Sequence, residues 1–344
     1  MYTEREIIIE LPREYKKLQE FLNYQGLQVP LNMEYAYGFY HGSEIIACGA
    51  LVGDMLQGIA VRPDYHQEGM AAKVVSQLMK KAIELGRENL YIITKPTEIC
   101  SFISLGFKEV AIAQPFAALL EWGQEKIKDF RDNLKKIAQG KPQEAACIVI
   151  NANPFTLGHL HLIEVAAQSS PWLYVLVVEE EKSLFPFKVR LDLIKKGTSG
   201  INNLTIVPGG KYVVSSLTFP SYFTREEDLA KAHASLDLEI FIQHIAPSLK
   251  IKTRYVGQEP YCPVTSVYNQ VMAELLPKNG LIMEEIPRLM VNNKIISAST
   301  VRQLIREDKF SELKDFLPES TYQYLMSSAA QSIIKRIKTS EGRH

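Results

Sequence analysis

The sequence predicts a two-domain α/β protein, in which a domain built on a mixed sheet precedes one built on a doubly wound parallel sheet. Three observations lead there. At 344 residues the chain exceeds what one ordinary core organises. From about residue 145 onward, apolar runs of strand length alternate regularly with helical patterns, which is the signature of parallel strands covered on both faces. Between them, from about Glu121 to Glu144, lies a charged, lysine-rich stretch ending in Gly140-Lys141-Pro142. The expected limits are a first domain over 1–125, a connector over 126–144 and a second domain over 145–344.

In the first domain, Gly38 to Tyr40 and Ile45 to Leu51 read as a hairpin, followed by a strand at Gln57 to Val61. A helix from about Met70 to Leu85 and a strand at Leu90 to Thr94 come next. Trp122, Ile127, Phe130, Leu134 and Ile137 fall near helical spacing, so the connector is expected to start as a helix. In the second domain the expected strands are Cys147 to Ile150, Leu173 to Val178, Leu204 to Val207, Ile251 to Val256 and Leu281 to Ile286. Helices are expected at His159 to Gln168, Lys188 to Lys196, Arg225 to Ile245 and Val264 to Leu276. Ligands of such sheets bind at the carboxyl ends of the strands.

Composition narrows the function classes. Lys plus Arg and Asp plus Glu number 39 each, so no global field draws nucleic acid or an anionic membrane, and any phosphate site must be local. Cys48, Cys100, Cys147 and Cys262 are widely spaced, which indicates neither a zinc site nor a disulfide framework and suits a reducing cytoplasm. The charged start Met1 to Glu6 does not read as a signal peptide, and the longest apolar runs fall well short of the roughly 20 residues that span a bilayer.

Chemistry concentrates in two segments. Strand Cys147 to Ile150 runs into Asn151-Ala152-Asn153-Pro154-Phe155, and a helix then opens at Thr156-Leu157-Gly158-His159. Amides and dipole at such a helix start attract phosphate, and Gly158 permits close backbone approach. The Thr156 hydroxyl and His159 imidazole add donors where charge develops on an α-phosphate under attack. Thr156 reads equally as an N-cap, with His159 an ordinary first-turn residue. Near the C-terminus, Ile296-Ser297-Ala298-Ser299-Thr300-Val301-Arg302 opens another helix with three hydroxyls and a guanidinium. Lys188 and Arg190 begin a helix past the second strand, where a cation could meet a triphosphate or simply face solvent. Gly257 and Glu259 sit at the end of a later strand, at the edge where substrate should bind, and are expected in the ATP site in contact with adenine or acetate; they also read as a turn glycine and its neighbour.

These two segments together resemble the nucleotidylyltransferase superfamily, with its H-x-G-H or T-x-G-H turn and late I-S-x-[ST]-x-x-R. The resemblance implies that Thr156, Gly158 and His159 hold the nucleotide phosphates, with His159 stabilising the pentacoordinate α-phosphorus. It gives Ser297, Ser299, Thr300 and Arg302 the leaving pyrophosphate, and it makes Asn153 and Phe155 part of the ATP site. Thr156 replaces the family's first His, so it binds phosphate without acting as an acid. Asn153 to His159, Phe185 to Arg190, Thr218 to Phe223, Tyr255 to Pro260 and Ile296 to Arg302 resemble, more narrowly, the citrate lyase ligase family. That resemblance implies an acid–thiol ligase using ATP, with magnesium inferred from ATP chemistry, and acetate. Acetyl-AMP would form first, and its acetyl group would pass to the thiol of the prosthetic group on the acyl carrier subunit of citrate lyase. The alternative is a nucleotidylyltransferase making a dinucleotide cofactor such as dephospho-coenzyme A or NAD.

In the first domain, Arg62 to Ala71 leads from a strand into an apolar helix, and Phe102-Ile103-Ser104-Leu105-Gly106-Phe107 follows the next strand. This pair resembles the GNAT acyltransferase fold and its [QR]-x-x-G-x-[GA] pyrophosphate loop. The resemblance implies that His66, Gln67, Gly69 and Ala71 bind the dephospho-coenzyme-A-like prosthetic arm. His66 stands where that family has Arg or Gln, and no general base is evident.

Overall fold

A computed structural model describes residues 2–179, 183–214, 226–259, 263–291 and 294–340. The chain divides into two compact units, Met1–Asp132 with Ser216–Gln243, and Asn133–Ser215 with His244–His344.

The first unit is built on a seven-stranded mixed sheet. Its elements are β1 (Thr3–Glu6), α1 (Pro12–Tyr24), β2 (Tyr35–His41), β3 (Glu44–Val52), β4 (Met55–Val61), α2 (Met70–Glu84), β5 (Asn89–Thr94), α3 (Ile99–Ile103), β6 (Lys108–Ala113) and β7 (Ala117–Gly123). The spatial order is β1-β2-β3-β4-β5-β7-β6, antiparallel except where β4 and β5 run parallel. Those two strands share only two partner pairs, Met55 with Tyr91 and Leu56 with Ile92. Beyond them β4 continues to Val61 without pairing β5, and α2 opens beside that strand end. Helix α2 buries Val74, Val75 and Leu78 against Ile46, Leu56 and Leu90, while Leu18 and Leu22 of α1 pack with Ala36 and Cys48 in a second cluster.

The connector differs from its expected form. Glu121 and Trp122 are strand residues of β7, with Trp122 opposite Leu90, and helix α4 (Ile127–Ile137) starts only afterwards. The buried Glu121 carboxylate accepts the Ile127 amide with both oxygens at 3.0 Å, so the acid that looks like linker composition tethers the start of α4. Helix α7 (Glu226–Ile240) covers much of the expected helix from Arg225 to Ile245 and belongs to the first unit, against β6 and β7.

The second unit is a five-stranded parallel sheet. It follows the chain through β8 (Ala145–Ile150), α5 (Leu157–Gln168), β9 (Leu173–Val177), α6 (Phe187–Gly197) and β10 (Leu204–Pro208). After α7 it resumes at α8 (Ala246–Leu249), β11 (Ile251–Gly257), α9 (Pro263–Lys278) and β12 (Ile282–Ile286). It ends with the small hairpin β13 (Met290–Val291) and β14 (Lys294–Ile295), then α10 (Ala298–Arg306), α11 (Glu319–Met326) and α12 (Gln331–Thr339). The order β10-β9-β8-β11-β12 places the reversal of strand order between β8 and β11, where an open sheet of this kind leaves a crevice at its carboxyl edge. Strands β8 and β9 are buried almost throughout, which is why they read as continuous apolar runs. Leu304, Ile305, Ile333 and Ile337 bind α10 and α12 into a cluster with Phe185. Trp172, just before β9, donates its indole N–H to Thr205 at 3.0 Å and lies under Lys141.

Candidate functional site

The strand β8 ends at Ile150, and the turn that follows is held in an unusual path. Ala152 has φ 52°, the Asn153–Pro154 peptide is cis, and the buried Asn153 side chain accepts the Phe185 amide at 3.0 Å. Arg190 fixes the same turn from beneath. Fully buried, it donates to the carbonyls of Asn151 (2.6 Å), Val178 (2.7 Å) and Phe185 (3.0 Å), joining the ends of β8 and β9. The expectation of Arg190 as a triphosphate ligand is therefore corrected: its guanidinium is committed to backbone oxygens out of solvent. The ring of Phe155 is fully buried in the core and stacks on His159, centroids 6.1 Å apart, so only its main chain is placed to meet a ligand. Lys188, two residues from Arg190, is exposed on the first turn of α6.

Thr156 and His159 form a capping box at the start of α5. The Thr156 amide donates to His159 Nδ1 at 3.1 Å, Thr156 Oγ1 lies 2.8 Å from the same nitrogen, and the His159 amide donates to Oγ1 at 3.4 Å. A ring nitrogen that accepts an amide N–H carries no proton, so the proton of neutral His159 sits on Nε2. Burial, and after it the charge of Arg288, pushes His159 down to about 4, so the ring is neutral and a donor at physiological pH. The structure thus shows the N-cap reading of Thr156, whose amide and hydroxyl on Nδ1 set the tautomer of His159. Of the first-turn amides, Leu157 donates to the Phe316 carbonyl at 2.9 Å and His159 to Thr156. That leaves the Gly158 amide without a protein acceptor among the described residues.

The late segment docks on this turn. Arg302, buried, donates to the Asn153 carbonyl and, at 3.3 Å, to Ser299 Oγ. Gly158 lies so close to the β14–α10 junction that a Cβ there would stand 3.0 Å from the Ile296 carbonyl oxygen. Ser297 caps α10, accepting the Thr300 amide at 3.0 Å, with its hydroxyl 2.8 Å from that of Thr300. Ser299, Thr300, Arg302 and Arg306 line a cavity of about 350 Å³ along α10. Burial lowers Arg302 to about 10, which leaves it cationic at neutral pH. Two helix N-termini, a neutral imidazole donor and a cationic wall are thereby brought together at the carboxyl edge of the sheet.

Gly257 and Glu259 occupy the carboxyl end of β11. The Gly257 carbonyl accepts Asn269 Nδ2 at 3.3 Å, and Glu259 forms an ion pair with Arg288, which also donates from Nε to the Gln258 carbonyl at 2.6 Å. Sequence reasoning missed Arg288. It belongs to no phosphate motif, and only its position two residues past the end of β12 signals that it reaches the ligand edge.

In the first unit, Gly69 takes φ 64° as the N-cap of α2, and no side chain caps that helix. A non-glycine residue is strained at this φ, and without a capping group the first amides of α2 stay open to an anion. Gln67 and Gly69 are exposed and Ala71 is half-buried. The Nε2–H of His66 donates to the Val61 carbonyl at 2.9 Å, so that edge of the ring folds back on β4.

Cys48 and Cys147 are buried, and burial pushes the Cys147 thiol up to about 12, so neither offers a thiolate. Among the described residues no group of three or more His, Cys, Asp or Glu is placed to hold a metal ion, and no helix is long and apolar enough to cross a membrane. The segment Thr218 to Phe223, the acids Glu180 and Glu181, and Cys262 lie outside the described residues.

Comparison with known proteins adds the following. A family described as the citrate lyase ligase C-terminal domain matches residues 145–325. The citrate (pro-3S)-lyase ligase of Klebsiella pneumoniae is 35% identical over 329 residues, which cover 94% of this chain and 96% of that one. Among solved structures, a putative nicotinate-nucleotide adenylyltransferase from Vibrio parahaemolyticus aligns at 13% identity and a TM-score of 0.38, covering 59% of this chain and 100% of that one. The ribosomal-protein-S18-alanine N-acetyltransferase of Escherichia coli aligns at 16% identity and a TM-score of 0.29, covering 37% of this chain and 96% of that one.

Proposed function

The chain belongs to the citrate (pro-3S)-lyase ligase family, and from that premise we propose that it acetylates, at the expense of ATP, the thiol of the prosthetic group on the acyl carrier subunit of citrate lyase. Acetate attacks the α-phosphorus of ATP, the bond to the β-phosphate breaks, and acetyl-AMP and pyrophosphate form. The carrier thiol then attacks the acetyl carbon, a thioester forms, and AMP and the thiol proton leave.

The observation that carries this reading is the junction of the two phosphate segments, with Arg302 on the Asn153 carbonyl and Gly158 against Ile296. In it, the Gly158 amide and the Nε2–H of His159 serve the α-phosphate oxygens, while Ser299, Thr300 and Arg302 receive the leaving pyrophosphate. Ser297 acts as the cap that aims them, and Lys188 meets the outer phosphates. Gly257 and Glu259 border the acetate side. Catalysis then rests on position and preorganised donors, with no covalent enzyme intermediate.

Among the described residues no group of three or more potential ligands is placed to hold magnesium, and Glu179 accepts the Gly210 amide at 2.9 Å; magnesium would enter bound to the phosphates of ATP, and no step is routed through it.

For the first domain (1–125, followed by the connector 126–144) we propose a binding role toward the prosthetic arm, with residues 145–344 carrying the adenylation. The uncapped amides of α2 behind Gly69 suit a pyrophosphate, and the early divergence of β4 from β5 suits an extended arm. Gln67 and Ala71 flank that anion position, and the remaining edge of His66 faces the same loop.

The test is ATP–pyrophosphate exchange with labelled pyrophosphate. Exchange that requires acetate is the expected result. Exchange that ignores acetate and requires a mononucleotide acceptor would instead identify an enzyme making a dinucleotide cofactor.

A further inference from the structure

The reaction joins two anions, because a carboxylate must reach an α-phosphate that already bears charge. Repulsion between them has to be offset by a cation at the point of approach. Of the cations around the two phosphate segments, Arg190 of α6 is engaged with three backbone carbonyls and Arg302 with the Asn153 carbonyl and Ser299, while Lys188 is assigned above to the outer phosphates. His159 is held neutral and contributes a dipole only.

Arg288 stands differently. It follows β12, whose last residue Ile286 pairs with Gly257 of β11, and the Gln258 amide donates to the Ile286 carbonyl at 3.0 Å. Its side chain is therefore anchored at the carboxyl edge of β11, which borders the crevice opposite β8, and of the outer strand β12. The fork is fixed at one corner by the Nε bond to the Gln258 carbonyl, and an Nη atom grips the Glu259 carboxylate. Side-chain exposures of 23% for Arg288 and 14% for Glu259 leave the pair within reach of a small solute. Its charge is felt at His159, where it lowers the proton affinity of the imidazole.

The ligand that Arg288 already holds is informative. The end of a glutamate side chain is a CH2–COO⁻ group, which is acetate in all but its tether. A planar guanidinium recognises such a carboxylate by its fork geometry, so a free carboxylate can take the place of the tethered one on the same donors. We propose that Arg288 is the specificity-determining residue for the carboxylate substrate, and that Glu259 is an internal stand-in which acetate displaces when it binds. The proposal rests on the adenylation reading above and assigns its carboxylate subsite. Acetate held on Arg288 presents its second oxygen toward the α-phosphorus, and the charge of the fork offsets the approach of the two anions.

The two partners make opposite predictions. In the acetate-dependent exchange assay, Arg288→Gln raises the KM for acetate at least about tenfold, the loss of one charge-assisted contact, while the affinity for ATP measured by calorimetry without acetate stays within about twofold. Glu259→Gln releases the fork and lowers the KM for acetate. Added guanidinium ion restores exchange to Arg288→Gly at acetate concentrations where that variant is otherwise inactive, a result that a purely structural role would not give. Thermal denaturation of each variant verifies folding. An unchanged acetate KM in Arg288→Gln, or a parallel loss of ATP affinity showing that the fork serves phosphate, overturns the assignment. Absence of acetate-dependent exchange in the unaltered protein would overturn the adenylation reading instead, so the two failures are distinguishable.

Discussion

At the scale of single residues, His159 concentrates the chemistry into one tautomer. Replacing it with Ala should lower acetate-dependent exchange by about 10²–10³-fold, the usual loss for one preorganised donor to a developing oxyanion. Circular dichroism should remain that of the folded protein. The depressed proton affinity also has a stability consequence. Below the 6.5 of an ordinary imidazole, the unfolded chain takes up this proton before the folded one does. The contribution of His159 to stability is thus fully present above about pH 6.5 and is lost as pH falls toward about 4, and His159→Ala should flatten that part of a denaturation-versus-pH curve. The imidazole and the late hydroxyls were legible in sequence because short spacing alone places them at helix starts. Arg190 was misread for a physical reason. A sequence shows that a cation begins a helix, but not that the turn before it leaves three carbonyls needing donors. Arg288 was missed because its partners, Gln258 and Glu259, lie about thirty residues away and meet it only through strand pairing.

At the scale of elements, the two helix starts act as one device because Gly158 lets them touch. Gly158→Ala places a methyl 3.0 Å from the Ile296 carbonyl, so the β14–α10 junction must retreat by a few tenths of an ångström. The expected cost is about 1–3 kcal/mol, read as a lower denaturation midpoint, with a larger fractional loss of exchange than of ATP affinity. Equal losses of both would mean that the contact serves packing alone. The parallel strands were readable because β8 and β9, covered on both faces, present unbroken apolar runs. The first unit was harder. Strand β1 is Thr-Glu-Arg-Glu at an exposed sheet edge, where backbone pairing with β2 and not hydrophobicity makes it a strand. Strand β7 ends in Glu121, Trp122 and Gly123, and the acid masked its last turn of pairing with β5.

At the scale of the whole molecule, the proposed division of labour makes the two half-reactions separable. Gly69→Val puts a β-branched residue at φ 64° and a side chain over the open amides of α2. Acetylation of the carrier thiol should fall about tenfold or more, the equivalent of losing one or two hydrogen bonds, while acetate-dependent exchange is retained. If both fall together, the first unit does more than hold the arm. The order of the domains was legible from alternation and composition, whereas the membership of α7 was not, because a helix between two parallel strands reads as a crossover whichever surface it covers. The chain contains two tryptophans, and they are divided between the units, Trp122 at the end of β7 and Trp172 ahead of β9. Each unit thus carries its own fluorophore. Their indoles differ in surroundings, since that of Trp172 sits 3.9 Å beneath the Lys141 ammonium, and emission from each can report the unfolding of its own half of the molecule.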